Sequence, residues 1–271
     1  KLALGDTGTL QDFVYQITPE GLREADLLLR QSGYVGTVPV PIQEYMQSVN
    51  QQAPNRNSLK LDRIREAFND LSIPEPIFRR IARAIAGARG MFLYGAPGNG
   101  KTSIAERITK ACGGTIWIPR AIDAFGETIR LYDPADHQAV PVQKGEGLVR
   151  SEDVDNRWIR IERPTIIVGG EFCLEQLEVF VDTALRLSEA PIHLKSNCGT
   201  LVIDDFGRQR MSTTDLLNRW IVPLEKKYDF LRLGSGRKVQ VPFRQIVVFS
   251  TNLDPAAIVD EAFLRRIPYK I

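Results

Sequence analysis

One stretch, Gly95-Ala96-Pro97-Gly98-Asn99-Gly100-Lys101-Thr102, limits the folds open to this chain more than any other. It fits the spacing G-x-x-x-x-G-K-[ST], in which glycines let the backbone turn its N–H groups inward toward phosphate oxygens. Both flanks agree with that use. Met91-Phe92-Leu93-Tyr94 is a short apolar run that predicts a buried strand, and the run Thr102 to Lys110 sets Ile104 and Ile108 one helical turn apart. Strand, glycine loop and helix is the order phosphate binding requires, because the helix adds unpaired N–H groups and the positive end of its dipole. The candidate nucleotide contacts are therefore Gly95, Ala96, Pro97, Gly98, Asn99, Gly100, Lys101, Thr102 and Ser103. Lys101 would reach the β- and γ-phosphates, and the Thr102 hydroxyl would bind Mg²⁺. The competing reading, a glycine-rich turn matching by chance, would not need both flanks.

Composition narrows the remaining classes. In a chain of 271 residues, 43% hydrophobic and 25% charged residues are ordinary for a soluble globular protein with a sizeable core. A net charge of +2 gives no global field toward nucleic acid or an acidic membrane surface. Cys112, Cys173 and Cys198 lie far apart with no C-x-x-C spacing, which predicts free thiols in a reducing compartment rather than a disulfide or zinc site. There is no signal peptide and no apolar run of membrane-spanning length, so the expectation is a cytoplasmic protein without a membrane partner. The first residue is Lys1, which predicts an incomplete amino terminus.

A second chemical landmark is Leu201-Val202-Ile203-Asp204-Asp205, an apolar strand ending in two carboxylates. Ligands of parallel sheets gather at the carboxyl ends of strands, so both acids should face the glycine loop. Asp204 suits Mg²⁺, directly or through water. Asp205 suits the orienting or deprotonating of an attacking water. A strand followed by a polar turn would look similar without the glycine loop upstream.

The rest of the chain divides into residues 1–40, 41–70 and 71–271. Leu10 to Ile17 suggests a strand, and Thr18-Pro19 starts a helix with Thr18 as its cap. Together these look like the last wing strand and final helix of a winged-helix domain, or else a small packing appendage. Residues 51–58 are the best linker candidate. Pro76 to Ala88 predicts a helix, with Arg79, Arg80, Arg83 and Arg89 off its apolar face. Residues 133–165 are polar and irregular apart from an alternating run at Arg157–Ile161. A helical pattern runs from Leu174 through Leu185, and Thr213 to Phe230 predicts a long helix kinked or split at Pro223. Phe230–Leu233 and Lys238–Val241 flank Gly234-Ser235-Gly236-Arg237 as a hairpin. A buried strand then ends in Ser250-Thr251-Asn252, a helix runs from Asp254 or Pro255 through Phe263, and Arg265-Arg266 precede a last strand.

Taken in order, Gly95–Thr102, Leu201–Asp205, Ser250-Thr251-Asn252 and Arg265-Arg266 resemble the AAA+ ATPase family over roughly residues 70 to 271. The resemblance implies an α/β fold: a P-loop NTPase parallel sheet flanked by helices, the AAA+ large subdomain. A small helical or winged-helix-like amino-terminal segment would precede it, and the carboxy-terminal lid is absent. It implies ATP and Mg²⁺ as cofactors, with Walker A at the glycine loop and Walker B at Asp204 and Asp205. It makes Asn252 the polar residue of sensor 1. It makes Arg265 or Arg266 the finger that reaches a neighbouring subunit's γ-phosphate, so that Lys101, Asp205, Asn252, Arg265 and Arg266 are the catalytic set. The alternative for the arginine pair is two surface cations at a helix C-terminus.

The hairpin resembles the pre-sensor-1 branch of that family, and the run Gly170-Glu171-Phe172 with Asn197–Asp205 is similar in layout to MoxR-like ATPases and bacterial enhancer-binding proteins. By that likeness residues 133–165 and 231–241 face the substrate. The function implied is Mg²⁺-dependent ATP hydrolysis by a homo-oligomeric ring that remodels a protein or nucleic-acid partner. The alternative is a DNA-binding regulator of transcription or assembly that uses ATP as a switch with slow hydrolysis. Asp205 departs from the family, which usually has Glu there, and this bears on water positioning and hydrolysis rate more than on nucleotide binding.

Overall fold

Five strands form the central layer: β1 (Met91–Tyr94), β2 (Thr165–Val168), β3 (Thr200–Ile203), β4 (Ile246–Thr251) and β5 (Tyr269–Lys270). Their order in the sheet is β5-β1-β4-β3-β2, and every neighbouring pair is parallel. The structure is a computed structural model and describes residues 2–4, 13–30, 32–54, 59–141, 155–184 and 186–271.

The strands read as unbroken apolar runs because both faces of the sheet are covered. Met91, Leu93, Val202, Ile246 and Val248 point into one core, where α1 (Glu75–Ala86) contributes Ile81 and Ile85, and α2 (Lys101–Cys112) contributes Ala105 and Ile108. Phe92, Leu201, Ile203, Val247 and Phe249 point into the other, against Leu216, Trp220 and Leu224 of α3 (Thr213–Lys226). Trp220 is fully buried, with ring centroids 5.8 Å from Phe249 and 6.2 Å from Phe243. Truncating it to alanine would cost about 3–5 kcal/mol.

Three local expectations need correction. Pro223 does not split its helix: α3 is continuous to Lys226. Only one short turn follows the proline, Trp220 and Leu224 anchor both sides of it, and the left-handed Lys227 closes the helix by donating its N–H to the Pro223 carbonyl at 3.1 Å. The apolar spacing from Leu174 to Leu185 is not a helix. A 3₁₀ turn, Leu174–Leu177, buries Leu177, and the strand Phe180–Asp182 follows it, pairing with Leu187–Glu189. The helix expected from Pro255 through Phe263 is two, Pro255–Ile258 and Glu261–Leu264, capped separately by Asp254 and Asp260.

A second sheet, unforeseen in the sequence, orders Phe180–Asp182, Leu187–Glu189, Glu127–Arg130, Ala121–Ala124 and Val40–Pro41. Thr115–Pro119 pairs with Trp158–Glu162, and Tyr228–Arg232 with Lys238–Pro242. A third core joins these pieces, in which Leu231, Val239 and Val241 of the hairpin meet Ile122, Ile129 and the Ile42, Tyr45 and Val49 face of helix Ile42–Gln52. The hairpin tip is clamped from outside. The Glu127 carboxylate accepts the N–H groups of Gly234 and Ser235 at 2.8 and 2.9 Å, and the Arg237 guanidinium lies 4.6 Å from the Phe125 ring centroid.

At the amino end Leu2–Leu4 pairs with Phe13–Tyr15. Thr18 then caps helix Pro19–Leu29, none of whose residues is buried. Parts of three expected features lie outside the described residues: 10–12 of the first strand, 55–58 of the linker and 142–154 of the long insertion. Cys112, Cys173 and Cys198 are all free. No helix among the described residues is long and apolar enough to cross a membrane.

Candidate functional site

The glycine loop leaves β1 at the carboxyl edge of the sheet. Its shape requires glycine for conformation rather than space. Gly98 and Gly100 have φ of 83° and 70°, yet a Cβ on either would meet nothing within 4 Å. Gly100 stands at the N-cap of α2, and no side chain caps that helix. Its first N–H groups are therefore not spent on a local side chain, which is the arrangement that receives an anion.

Lys101 is drawn back over the loop. Its Nζ donates to the Gly95 carbonyl at 3.0 Å, the Ala96 carbonyl at 3.1 Å and the Asn252 Oδ1 at 2.7 Å. Topology makes the last contact possible. β1 and β4 are neighbours with Tyr94 opposite Thr251, and the Gly95 N–H donates to the Thr251 carbonyl at 3.2 Å. Lysine and asparagine, 151 residues apart in sequence, thus meet at one strand edge.

The two acids sit one strand further on. β3 pairs with β4, with Ile203 opposite Phe249, and Asp204 follows at the same carboxyl edge. With β4 between them, β1 and β3 are roughly 10 Å apart, a separation that a phosphate with its metal spans and a direct side-chain contact does not. Asp204 is half-buried and accepts the Asp205 N–H on Oδ1 at 3.0 Å. Asp205 is exposed, with a left-handed φ of 48°. Beside them, at the end of β2, Glu171 accepts the Gly169 N–H at 2.9 Å, which lowers its carboxyl from the usual value.

Thr102 and Asp204 offer a hydroxyl and a carboxylate, the hard oxygen donors Mg²⁺ prefers. Among the described residues no three His, Cys, Asp or Glu side chains gather as an all-protein metal cage. A metal held partly by nucleotide phosphates needs only one or two protein oxygens, so this donor set fits.

Arg265 and Arg266 are not part of this cluster. They precede β5, as Gly87 and Arg89 precede β1, and so belong to the amino edge of a parallel sheet. There, with Arg83, Arg89, Glu225 and Tyr269, they line a cleft of about 760 Å³. A four-residue strand is roughly 13 Å long, which keeps these guanidinium groups away from the glycine loop of their own chain. Arg265 pairs with Glu261 at 2.7 Å and Arg266 with Glu225 at 2.6 Å. Arg79 pairs with Glu75 at 3.0 Å.

Two groups near the acids escaped the sequence reading. Gln209 hydrogen-bonds three backbone groups of the turn after β3, and the Thr251 hydroxyl donates to the Phe206 carbonyl at 2.8 Å. Gln209 belongs to no spacing pattern, and Thr251, though part of the Ser250–Asn252 run, shows its bond to Phe206 only in the fold.

No family model and no curated protein sequence matches the chain. Solved structures are similar to the chain in part. The complex between subunits BchI and BchD of magnesium chelatase is similar at a TM-score of 0.44 and 16% identity, over 72% of this chain and 56% of that one. NtrX from Brucella abortus is similar at 0.42 and 14%, over 92% of this chain and 38% of that one. The same protein in complex with ADP is similar at 0.39 and 12%, over 75% and 36%. The chain thus spans about half the length of the first neighbour and less than two fifths of the other two.

Proposed function

We propose that residues 71–271 are the nucleotide-binding subdomain of an AAA+ ATPase that binds ATP with Mg²⁺ and hydrolyses its β–γ phosphoanhydride. The observation that carries this reading is the 2.7 Å contact of Lys101 with Asn252, with Asp204 and Asp205 at the same strand edge. A cation, a polar amide and two carboxylates ending adjacent parallel strands beside a glycine loop suit phosphoryl transfer, where fixed donors must meet the charge growing on the γ-phosphoryl oxygens. In this reading the loop from Gly95 to Ser103 wraps the phosphates, and Lys101 turns from the Gly95 and Ala96 carbonyls to phosphate oxygens. Asn252 senses the γ-phosphate, and Asp205 orients the attacking water and takes its proton. Thr102 and Asp204 would hold Mg²⁺, which would neutralise charge on the phosphates.

The amino-edge arginines lie far from their own loop, and this supports a homo-oligomeric ring in which Arg265 or Arg266 completes a neighbour's site. Such a ring would be cytoplasmic and would act on a protein or nucleic-acid partner through the hairpin at 231–241 and the insertion at 133–165. Residues 41–70 would link this body to the amino-terminal segment 1–40. The test is phosphate release per subunit as a function of protein concentration. A rise with concentration, lost in Arg265→Ala and Arg266→Ala, is expected. A constant rate that survives both substitutions removes the ring.

A second reading rests on the strand pair followed by the Thr18-capped helix, which buries none of its residues. It makes the protein a DNA-binding regulator with ATP as its switch. Duplex binding that weakens steeply with salt is then expected. No duplex binding at low salt ends this reading.

A further inference from the structure

Gln209 is half-buried, four residues beyond Asp205, and spends its whole side-chain amide on one turn. Its Nε2 donates to the Asp204 carbonyl at 2.9 Å and to the Asp205 carbonyl at 3.2 Å, and its Oε1 accepts the Gly207 N–H at 2.8 Å. The turn is one that needs holding. Asp205 and Gly207 both have left-handed φ, 48° and 96°, and for Asp205 this is a costly conformation. From the opposite side β4 pins the residue between them: the Phe206 N–H donates to the Ser250 carbonyl, and the buried Thr251 hydroxyl donates to the Phe206 carbonyl, both at 2.8 Å. Thr251 Oγ1 also accepts the Leu253 N–H at 3.2 Å, beside Asn252. Two successive carbonyls fixed by one amide fix the directions in which the two acidic side chains leave the backbone.

We propose that Gln209 is a positioning residue for Asp204 and Asp205, setting both carboxylates against the glycine loop. The inference rests on the nucleotide reading above, which assigns the two acids their tasks. Gln209 acts through them and touches neither phosphate nor metal. Outer partners that orient metal-holding groups typically change metal affinity or activity by about 10–100-fold when removed. A residue that merely knits the loop together would instead lower overall stability and nucleotide affinity together.

The experiment uses the full chain and two substitutions. Gln209→Glu keeps an acceptor for Gly207 and removes both donors, whereas Gln209→Met removes all three bonds at similar volume. Three quantities are measured: ATP affinity in EDTA, phosphate release across a Mg²⁺ titration, and amide exchange in metal-free protein. For both variants ATP affinity should stay within about twofold, while half-maximal Mg²⁺ rises and turnover falls by about tenfold or more. The Gly207 amide should exchange faster in Gln209→Met and stay protected in Gln209→Glu. Unchanged Mg²⁺ dependence and turnover in both variants would overturn the proposal, as would a parallel loss of ATP affinity in EDTA. Lys101→Ala separates the two levels. If it leaves ATP binding and phosphate release unaltered, or if the wild-type protein does neither, the nucleotide reading itself has failed.

Discussion

The two edges of the central sheet are built on opposite electrostatic plans. At the carboxyl edge, Lys101 donates to two loop carbonyls and to Asn252, and one strand further on Asp204 accepts the Asp205 N–H. At the amino edge, Arg83, Arg89, Arg265 and Arg266 crowd one cleft, with Glu225 the only acid in its lining among the described residues. Arg265 and Glu261 are 75% and 80% exposed, and such an i,i+4 pair is worth only a few tenths of a kcal/mol, about 0.3–0.5. So exposed a pair at Arg265 adds little to stability. The arginines of this cleft suit an anion delivered by another molecule, while the first edge suits an anion that its own loop already wraps. The comparison teaches that each edge holds what the other lacks.

The largest expected effect tests the amino edge. Replacing Arg265 and Arg266 together with alanine should cut phosphate release by about 10³-fold, with ATP binding to the isolated chain unchanged. If binding falls as well, the two edges are not separate. Lys101→Ala should cost about 10²–10³-fold in turnover, read in the same assay. Mixing these two inactive chains sharpens the contrast further. The double-arginine variant supplies an intact loop and the Lys101 variant supplies intact arginines, so phosphate release should return in the mixture; silence there would place both groups in one subunit's site. Asp205→Glu tests the shorter acid and should shift turnover by no more than about tenfold in either direction, leaving ATP affinity untouched, since one methylene moves the water-facing carboxylate and not the loop.

An effect on stability rather than turnover comes from the hairpin base, which belongs to neither edge. Burial lowers His193 to about 4, although Asp229 opposes that shift with its Oδ2 3.4 Å from Nε2. In the unfolded chain the ring titrates near 6.5. The folded value is depressed, so this contribution to stability is complete above pH 6.5 and lost as pH falls toward 4. Its size is on the order of 3 kcal/mol. Urea denaturation at pH 7 and pH 5 should show about half of this loss in the wild-type protein and none of it in His193→Leu. Activity lost over the same window then reports on the hairpin base and not on the carboxylates.

Much of this was legible because of double burial. β1, β3 and β4 carry apolar residues toward two cores at once, so each appears in the sequence as a continuous run between polar ends. The glycine loop was legible because its backbone geometry admits few residue types. The second sheet was not, since a strand as short as Val40–Pro41 has no period of its own and is defined by a partner, Ala121–Ala124, eighty residues away. The spacing at Leu174–Leu185 misled because Leu177 needs one buried position, which a 3₁₀ turn supplies as well as a helix does. Gln209 left no trace because its partners are carbonyls and an N–H, which every residue possesses. Arg265 and Arg266 were visible as a pair, but only the direction of β5 tells which edge they occupy.

The Glu127 clamp has a mechanical consequence. With both tip amides of the hairpin tied to one carboxylate, the hairpin is fastened at its outer end to the Ala121–Arg130 ribbon. Its returning strand, Lys238–Pro242, feeds into β4, which ends beside Asn252. The outer end of the hairpin is thus joined by continuous chain to the strand whose end meets Lys101 through Asn252. Glu127→Gln would leave one acceptor oxygen for the two tip N–H groups, weakening the clamp without touching the Lys101 contact.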